Sequence, residues 1–267
     1  MNTQTLKNIE LFLFDMDGTL YIENELYPFT KDLLSTIKAQ GKHYLFMTNN
    51  SSKSVADYIK KMEMLGISAT ADDFITSAQA TALYLKTECP DDRLYVCGTA
   101  SLKAELTANG FTVTEDIDQV DCIVMGNDTE LTFRKLDDIS RMLSTRDDIK
   151  YIATNPDYVC PTAYGFVPDC GSVCDMIYNA TGKRPLFIGK PEPAMPQIAM
   201  RTHGIAPVHT AVVGDRIYTD IKSGLNAGCV TVLVMSGETT PAILEASTDR
   251  PDFVFLNGGE ILKILQA

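Results

Sequence analysis

Short apolar runs alternate along this chain with segments whose apolar residues recur every three or four positions. LFLF (11–14) is continuous rather than alternating, as expected of a strand with both sheet faces covered, and HYLFMTNN reads as the next strand and turn. The segment TKDLLSTIKAQG puts Leu33, Leu34 and Ile37 on one helical face and ends at Gly41. SSKSVADYIKKMEMLG reads as a second helix, started by Ser51 or Ser52, with Val55, Ile59 and Met62 inward and Gly66 closing it. FITS (74–77) is a short strand candidate. Late in the chain the alternation resumes: LFIGKPEP as strand and turn, PAMPQIAMRTHG as helix, TAVVGD as strand, DIKSGLNAG as helix, then VTVLVM, FVF and GGEILKILQ.

Between these blocks RLYVCG, DCIVMG and KYIATN read as strands, with helices at SLKAELTANG, around 132–144 and at SVCDMIYNATG. Strands alternating with helices predict an α/β protein with mostly parallel sheets. The expected organisation is a doubly wound core of residues 1–80 and 184–267, interrupted by an inserted α/β domain over 81–183. An insert of about 100 residues is enough for a core of its own.

Composition narrows the partners. With 45% hydrophobic and 22% charged residues the chain is ordinary for a globular protein. No stretch approaches the roughly 18 consecutive apolar residues of a membrane span, so no membrane partner is expected. The start, MNTQTLKNIE, has neither the basic region nor the apolar run of a secretion signal, which predicts a cytoplasmic protein. A formal net charge of −12 argues against a nucleic-acid polymer, since phosphate backbones need a basic face. A small anion remains a fitting partner if cations are concentrated locally, and self-association into a homo-oligomer is compatible with the sequence. Seven cysteines without a CxxC pair read as reduced thiols. Cys170 and Cys174 are spaced to meet on a helix face, but no second Cys/His pair supports a zinc site.

In open α/β sheets ligands bind beyond the carboxyl ends of the strands. Four polar clusters stand at such ends: Asp15 and Asp17 after LFLF, Thr48-Asn49-Asn50 after HYLF, Asp215 after AVV, and Lys190 after LFI through one glycine. Two like charges about 4 Å apart repel by roughly 4 kcal/mol at an effective dielectric near 20, so the acids need an offsetting charge. Asp15, Asp17 and Asp215 with carbonyl and water oxygens suit Mg²⁺. Lys190 adds fixed positive charge, and Thr48 with nearby N–H groups can donate to phosphate oxygens. These parts suit phosphoryl transfer, which depends on positioning and charge stabilisation. In that chemistry Asp15 attacks phosphorus and forms an aspartyl-phosphate. Asp17 gives a proton to the leaving oxygen and later takes one from water. Gly18 permits the sharp turn after the strand, and Thr19 is expected to hold it.

DMDGT (15–19) resembles the first motif of the haloacid dehalogenase superfamily of phosphatases. MTNNSS (47–52), GKPEP (189–193) and GDRIYTD (214–220) are similar to its second, third and fourth motifs, in order. The wording TNNSS and GKPEP, with a long insert after the second motif, is similar to the NagD-like branch, subfamily IIA. That branch includes nitrophenylphosphatases, phosphoglycolate phosphatases and hydrolases of nucleotides or sugar phosphates. The likeness spans the whole chain, because NPDYVCPTAYGFVPDCG resembles the branch's cap loop. It implies a Rossmann-like core with a cap domain and Mg²⁺-dependent hydrolysis of a small phosphorylated metabolite. Carried over, Asp15 is nucleophile and metal ligand, and Asp17 is acid/base and binds metal through its backbone carbonyl. Thr48 and Asn49, with Asn50 beside them, hold phosphate; Lys190 stabilises charge; Asp215 ligates Mg²⁺; Asp220 is a supporting carboxylate. One position departs: the family's cap loop usually carries glycine where Cys170 stands.

Each motif alone has a plainer reading as a turn, a proline-stiffened loop or a helix cap. Four such signals in one order, each at a strand end, are not explained that way. The rival readings are a phosphotransferase or mutase, and a non-enzymatic aspartyl-phosphate receiver, against which Asp17 speaks. In the insert, Asn155 and Asp157 read equally as an Asn-Pro turn or a substrate contact, and Tyr158 and Tyr164 as packing.

Overall fold

A computed structural model describes residues 2–162 and 164–267. Its contacts divide the chain into two units: Met1–Thr48, Ile59–Ile75 and Lys190–Ala267 in the first, Asn49–Tyr58 and Thr76–Gly189 in the second.

The first unit is built on a six-stranded sheet. Its strand order is Phe253–Phe255, Val230–Val234, Thr210–Gly214, Leu11–Phe14, His43–Thr48, Phe74–Thr76. Leu11–Phe14 pairs in parallel with both neighbours, Phe14 lying opposite Val213 and Phe46. Every residue of Leu11–Phe14, Thr210–Gly214 and Val230–Val234 is buried, the signature of strands covered on both faces. Helix Thr30–Ala39 buries Leu33, Leu34 and Ile37 as its spacing dictates, and Gly41 follows with φ +70°. Helix Ala194–His203 ends on Gly204 in the left-handed conformation. From the central first strand the chain steps one way to His43–Thr48 and, later, the other way to Thr210–Gly214. Such a reversal opens a crevice at the carboxyl ends of the two central strands.

The second unit has a five-stranded sheet of order Leu186–Phe187, Lys150–Ala153, Cys122–Met125, Arg93–Cys97, Thr112–Val113, parallel throughout. Ile123, Met125, Ile139, Met142, Leu143, Val173 and Ile177 fill one side of it. A separate antiparallel hairpin joins Val159–Thr162 to Gly165–Pro168.

Several expectations change here. LFI, expected in the first sheet, belongs to the second: Leu186 and Phe187 pair with Ile152 and Ala153, and the ladder continues through Ile188 and Gly189 N–H to the carbonyls of Ala153 and Thr154. Lys190 therefore starts the return to the first unit rather than following one of its own strands. The joins lie accordingly at 75/76 and 189/190, with 49–58 also in the second unit. Tyr158 and Tyr164, expected to pack, are exposed, one just before the first strand of the hairpin and one in its turn. Helix Val55–Met64 is capped by Ser54 in a reciprocal box with Asp57, not by Ser51 or Ser52. DIKSGLNAG begins with a wide π-type turn over Ile217–Ile221 before helix Lys222–Ala227. The seven cysteines are thiols outside any disulfide, and Cys170 and Cys174 stand with their Sγ atoms 4.0 Å apart in the core. Cys170 opens helix Cys170–Thr181 without a positive φ, so the departure from glycine there is unstrained. Among the described residues no helix is long and apolar enough to cross a membrane.

Candidate active site

The first unit gathers charge at the crevice. Asp15 continues its strand, its N–H bonded to the Val213 carbonyl, which aims the side chain beyond the sheet edge. Lys190, 3% exposed, donates from Nζ to Asp15 Oδ1 at 2.6 Å, to Asp220 Oδ1 at 2.6 Å and to the Met47 carbonyl at 3.2 Å. One ammonium thus ties together the ends of two strands and the π-type turn. Asp220 is wholly buried, and its Oδ2 accepts the Arg216 N–H at 3.0 Å. That wide turn brings residue 220 back over residue 216, and it fits because a Cβ on Gly214 would overlap the Asp220 side chain. Asp215 lies in a cradle of the same kind. Its Oδ2 accepts the Glu238 N–H at 2.6 Å, and a Cβ on Gly237 would overlap that oxygen. Gly18, at φ +81°, meets the same carboxylate, a Cβ there falling 2.8 Å from Asp215 Oδ2.

Asp15, Asp215 and Asp220 each offer an oxygen within 4.8 Å of the others. With Lys190 as the ammonium bonded among them, the three carboxylates when ionised carry a net charge of −2, the deficit a divalent cation removes. The electrostatics tell the same story. Burial, then Asp220, raises the Asp15 pKa to about 8 despite the opposing pull of Lys190. Burial and Asp220 also lift Asp215 to about 6. Lys190 is held above its usual range: burial alone would lower it, but Asp15 and Asp220 outweigh that. Among the described residues Asp215 Oδ1 is buried with no hydrogen-bond partner, a costly arrangement for a carboxylate oxygen unless something binds it. A hard cation with oxygen ligands fits this donor set.

The other expected residues fall as follows. Asp17 is exposed at the mouth of the first strand and stands outside the three-carboxylate cluster. Partial shielding by the surrounding chain raises its pKa, against Lys61 and Arg216, which pull it down. A carboxyl that holds its proton more readily and reaches solvent suits proton exchange with a substrate and with water. Thr19 is buried, but among the described residues its hydroxyl finds no hydrogen-bond partner; the turn is closed by backbone bonds, Gly18 N–H to the Tyr21 carbonyl and Leu20 N–H to the Met16 carbonyl. Thr48 ends its strand, buried, one residue beyond the carbonyl that Lys190 holds. Asn49 and Asn50 lie in the second unit. Asn49 donates from Nδ2 to Asp157 Oδ2 at 2.9 Å, and Asn50 Oδ1 accepts the Ser52 N–H and hydroxyl in a local turn.

Sequence reasoning missed Arg216, whose Nε meets Glu238 Oε2 at 2.8 Å. Burial opposes the charge of Arg216, but Asp15, Glu238 and Asp215 hold its pKa above the usual value. It also missed Gly237 and Glu238. The signal was available, because SGE follows VTVLVM at another strand end of the same sheet.

Comparison with known proteins adds an independent line. A family model described as haloacid dehalogenase-like hydrolase matches residues 12–112, and a second HAD-like hydrolase model matches 187–259. An acid sugar phosphatase of Staphylococcus saprophyticus is 35% identical over 98% of this chain and all of its own length. The crystal structure of a 4-nitrophenylphosphatase from Thermotoga maritima matches with a TM-score of 0.92 and 40% identity, over 97% of this chain and 98% of that one. NagD from E. coli K-12 matches with a TM-score of 0.85 and 29% identity, over 94% and 98% of the two chains.

Proposed function

The chain belongs to the haloacid dehalogenase superfamily, in its NagD-like branch of phosphatases, and on that premise we propose that it hydrolyses a small phosphate monoester with Mg²⁺ through an aspartyl-phosphate on Asp15. The observation that carries this reading is the buried Lys190 ammonium set between Asp15 and Asp220, with Asp215 alongside. Asp15 and Asp215, with the backbone carbonyl of Asp17, would hold the ion, and Asp220 would support it. When bound, Mg²⁺ supplies positive charge that neutralises the acids and draws in the phosphate oxygens.

The protein's own groups then divide the work. Asp15 attacks phosphorus while the ester oxygen leaves with a proton from Asp17, forming the Asp15–phosphorus bond as the ester bond breaks. Asp17, now a base, takes a proton from water, whose oxygen attacks phosphorus and releases the Asp15 carboxylate and inorganic phosphate. Lys190 keeps Asp15 in place and offsets negative charge as it builds. Thr48 donates to the phosphate from the end of the neighbouring strand.

The names of the relatives favour a sugar phosphate as the physiological substrate, with an aryl phosphate as a convenient artificial one. Phosphate release should be screened over sugar phosphates, nucleoside monophosphates, short phosphoacids and nitrophenyl phosphate, with Mg²⁺ and with chelator. Turnover of sugar phosphates above the other classes, lost with chelator, is the expected result. No release from any monoester would overturn the reading. Phosphate passed to an added alcohol, with none released to water, would favour the phosphotransferase alternative.

A further inference from the structure

We propose that Asp157 is a positioning residue, whose carboxylate fixes the side chain of Asn49 and through it the chain ends that lead into Thr48 and Lys190. The proposal deepens the phosphatase reading and rests on it. Asp157 Oδ2 accepts from Asn49 Nδ2 at 2.9 Å and from Asn155 Nδ2 at 3.0 Å. All three side chains are buried, Asn155 completely. A turn that served only to reverse the chain would leave such amides in water. Buried, they must be satisfied, and an ionised acceptor does so with the stronger class of hydrogen bond.

The turn that carries Asp157 is itself locked. Asn155 Oδ1 accepts the Thr154 hydroxyl at 2.8 Å, and Asn155 Nδ2 also reaches Asp169 Oδ1 at 3.3 Å. Gly171 N–H bonds to the Asp157 carbonyl at 2.8 Å, and a Cβ on Gly171 would overlap the Pro156 carbonyl oxygen, so helix Cys170–Thr181 is pressed against the turn. On its other side the Asn49 amide lies against bare backbone, since a Cβ on Gly189 would fall 2.5 Å from Asn49 Oδ1. Asn49 is therefore clamped between Asp157 and Gly189. Thr48 is one peptide bond from the first jaw of this clamp, and Lys190 one peptide bond from the second. Asn49 and Gly189, the residues next to Thr48 and Lys190 in the chain, thus meet at a single amide, and Asp157 sets that amide's orientation. Preorganisation of this kind matters because a misplacement of about 1 Å can cost about 100-fold in rate.

The test separates an acceptor from a reacting charge. Asp157→Ala removes the acceptor, and kcat should fall about 10-fold or more while KM stays within about 3-fold. Asp157→Asn keeps an acceptor oxygen and should hold kcat within about 3-fold of the parent. Hydrogen exchange of the Asn49 side-chain NH₂, read by NMR, should be slow in the parent and in Asp157→Asn, and fast in Asp157→Ala. Asp157→Asn as inactive as Asp157→Ala would overturn the proposal, as would full activity in Asp157→Ala. If Asp157→Ala does not fold, Asp157→Asn decides: slow Asn49 exchange with parental kcat supports the clamp, and fast exchange with parental kcat overturns it. If the parent itself releases no phosphate, the phosphatase reading fails separately, and slow or fast Asn49 exchange still supports or overturns the clamp.

Discussion

Replacing Lys190 with methionine keeps the bulk of the side chain and removes its charge. Asp15 and Asp220, each bonded to that ammonium at 2.6 Å, would then face each other without it. Their oxygens lie within 4.8 Å, where two full charges repel by about 3.5 kcal/mol at an effective dielectric near 20. Removing one partner of a buried ion pair usually costs about 3–5 kcal/mol, which agrees. At about 2–4 °C per kcal/mol for a chain of this size, the metal-free variant should melt about 6–20 °C below the parent at pH 9.5, where Asp15 beside Lys190 is ionised. Two further signatures distinguish the cause. The deficit should be largest above pH 8, where Asp15 is ionised in the parent, and should shrink toward pH 6, where Asp15 holds a proton with or without Lys190. It should also shrink with millimolar Mg²⁺, which replaces the lost charge and should raise the variant's melting temperature more than the parent's. Thermal unfolding followed by circular dichroism, with EDTA and with Mg²⁺, reads all three. A metal-free variant melting within about 2 °C of the parent at pH 9.5 would refute the electrostatic reasoning.

Three other outcomes follow from the same cluster. From about pH 4 the folded chain holds protons that the unfolded chain has released, on Asp215 up to about pH 6 and on Asp15 up to about pH 8. Their contribution to stability is therefore greatest below about pH 4 and is lost as pH rises through about 6 and then about 8. Melting temperatures in EDTA should fall across that window and flatten with Mg²⁺; a flat EDTA profile would contradict the shifts. Gly237→Ala forces the Asp215 carboxylate off the Glu238 N–H, and denaturant unfolding should show a loss of about 1–3 kcal/mol together with weaker Mg²⁺ binding by calorimetry. Asp17→Asn should fold as the parent does but lose about 100-fold or more in kcat toward alkyl phosphates, and less toward nitrophenyl phosphate, whose leaving group needs no proton. Equal losses with both substrates would deny Asp17 the acid role.

Much of this molecule was legible because its strands are buried on both faces. A continuous run such as LFLF or VTVLV leaves little alternative to a parallel interior strand, and the polar residue that ends it then marks the crevice edge. The placement of Asp15 and Asp215 at that edge was legible that way. Lys190 was found for a partly mistaken reason: the LFI before it pairs in the other sheet, since a two-residue strand has no pattern of its own and takes its partner from tertiary context. Asp220 was legible only through the motif, because its placement depends on a π-type turn that hydrophobic spacing does not encode. The burial of Asn49, Asn155 and Asp157 was hidden for a different reason. Polar residues around a proline read as a solvated turn unless the groups that satisfy them are known, and those come from distant parts of the chain.

The central claim is that the Asp15 carboxylate forms a bond to phosphorus during turnover. Its most direct test is an acid quench in the first turnovers with ³²P-labelled substrate and Mg²⁺, followed by peptide mapping. The account predicts label on the peptide that holds Asp15, released by hydroxylamine as an acyl phosphate is, and absent from Asp15→Asn. Unlabelled protein during a burst of phosphate release, or an Asp15→Asn variant that turns over like the parent, would contradict it.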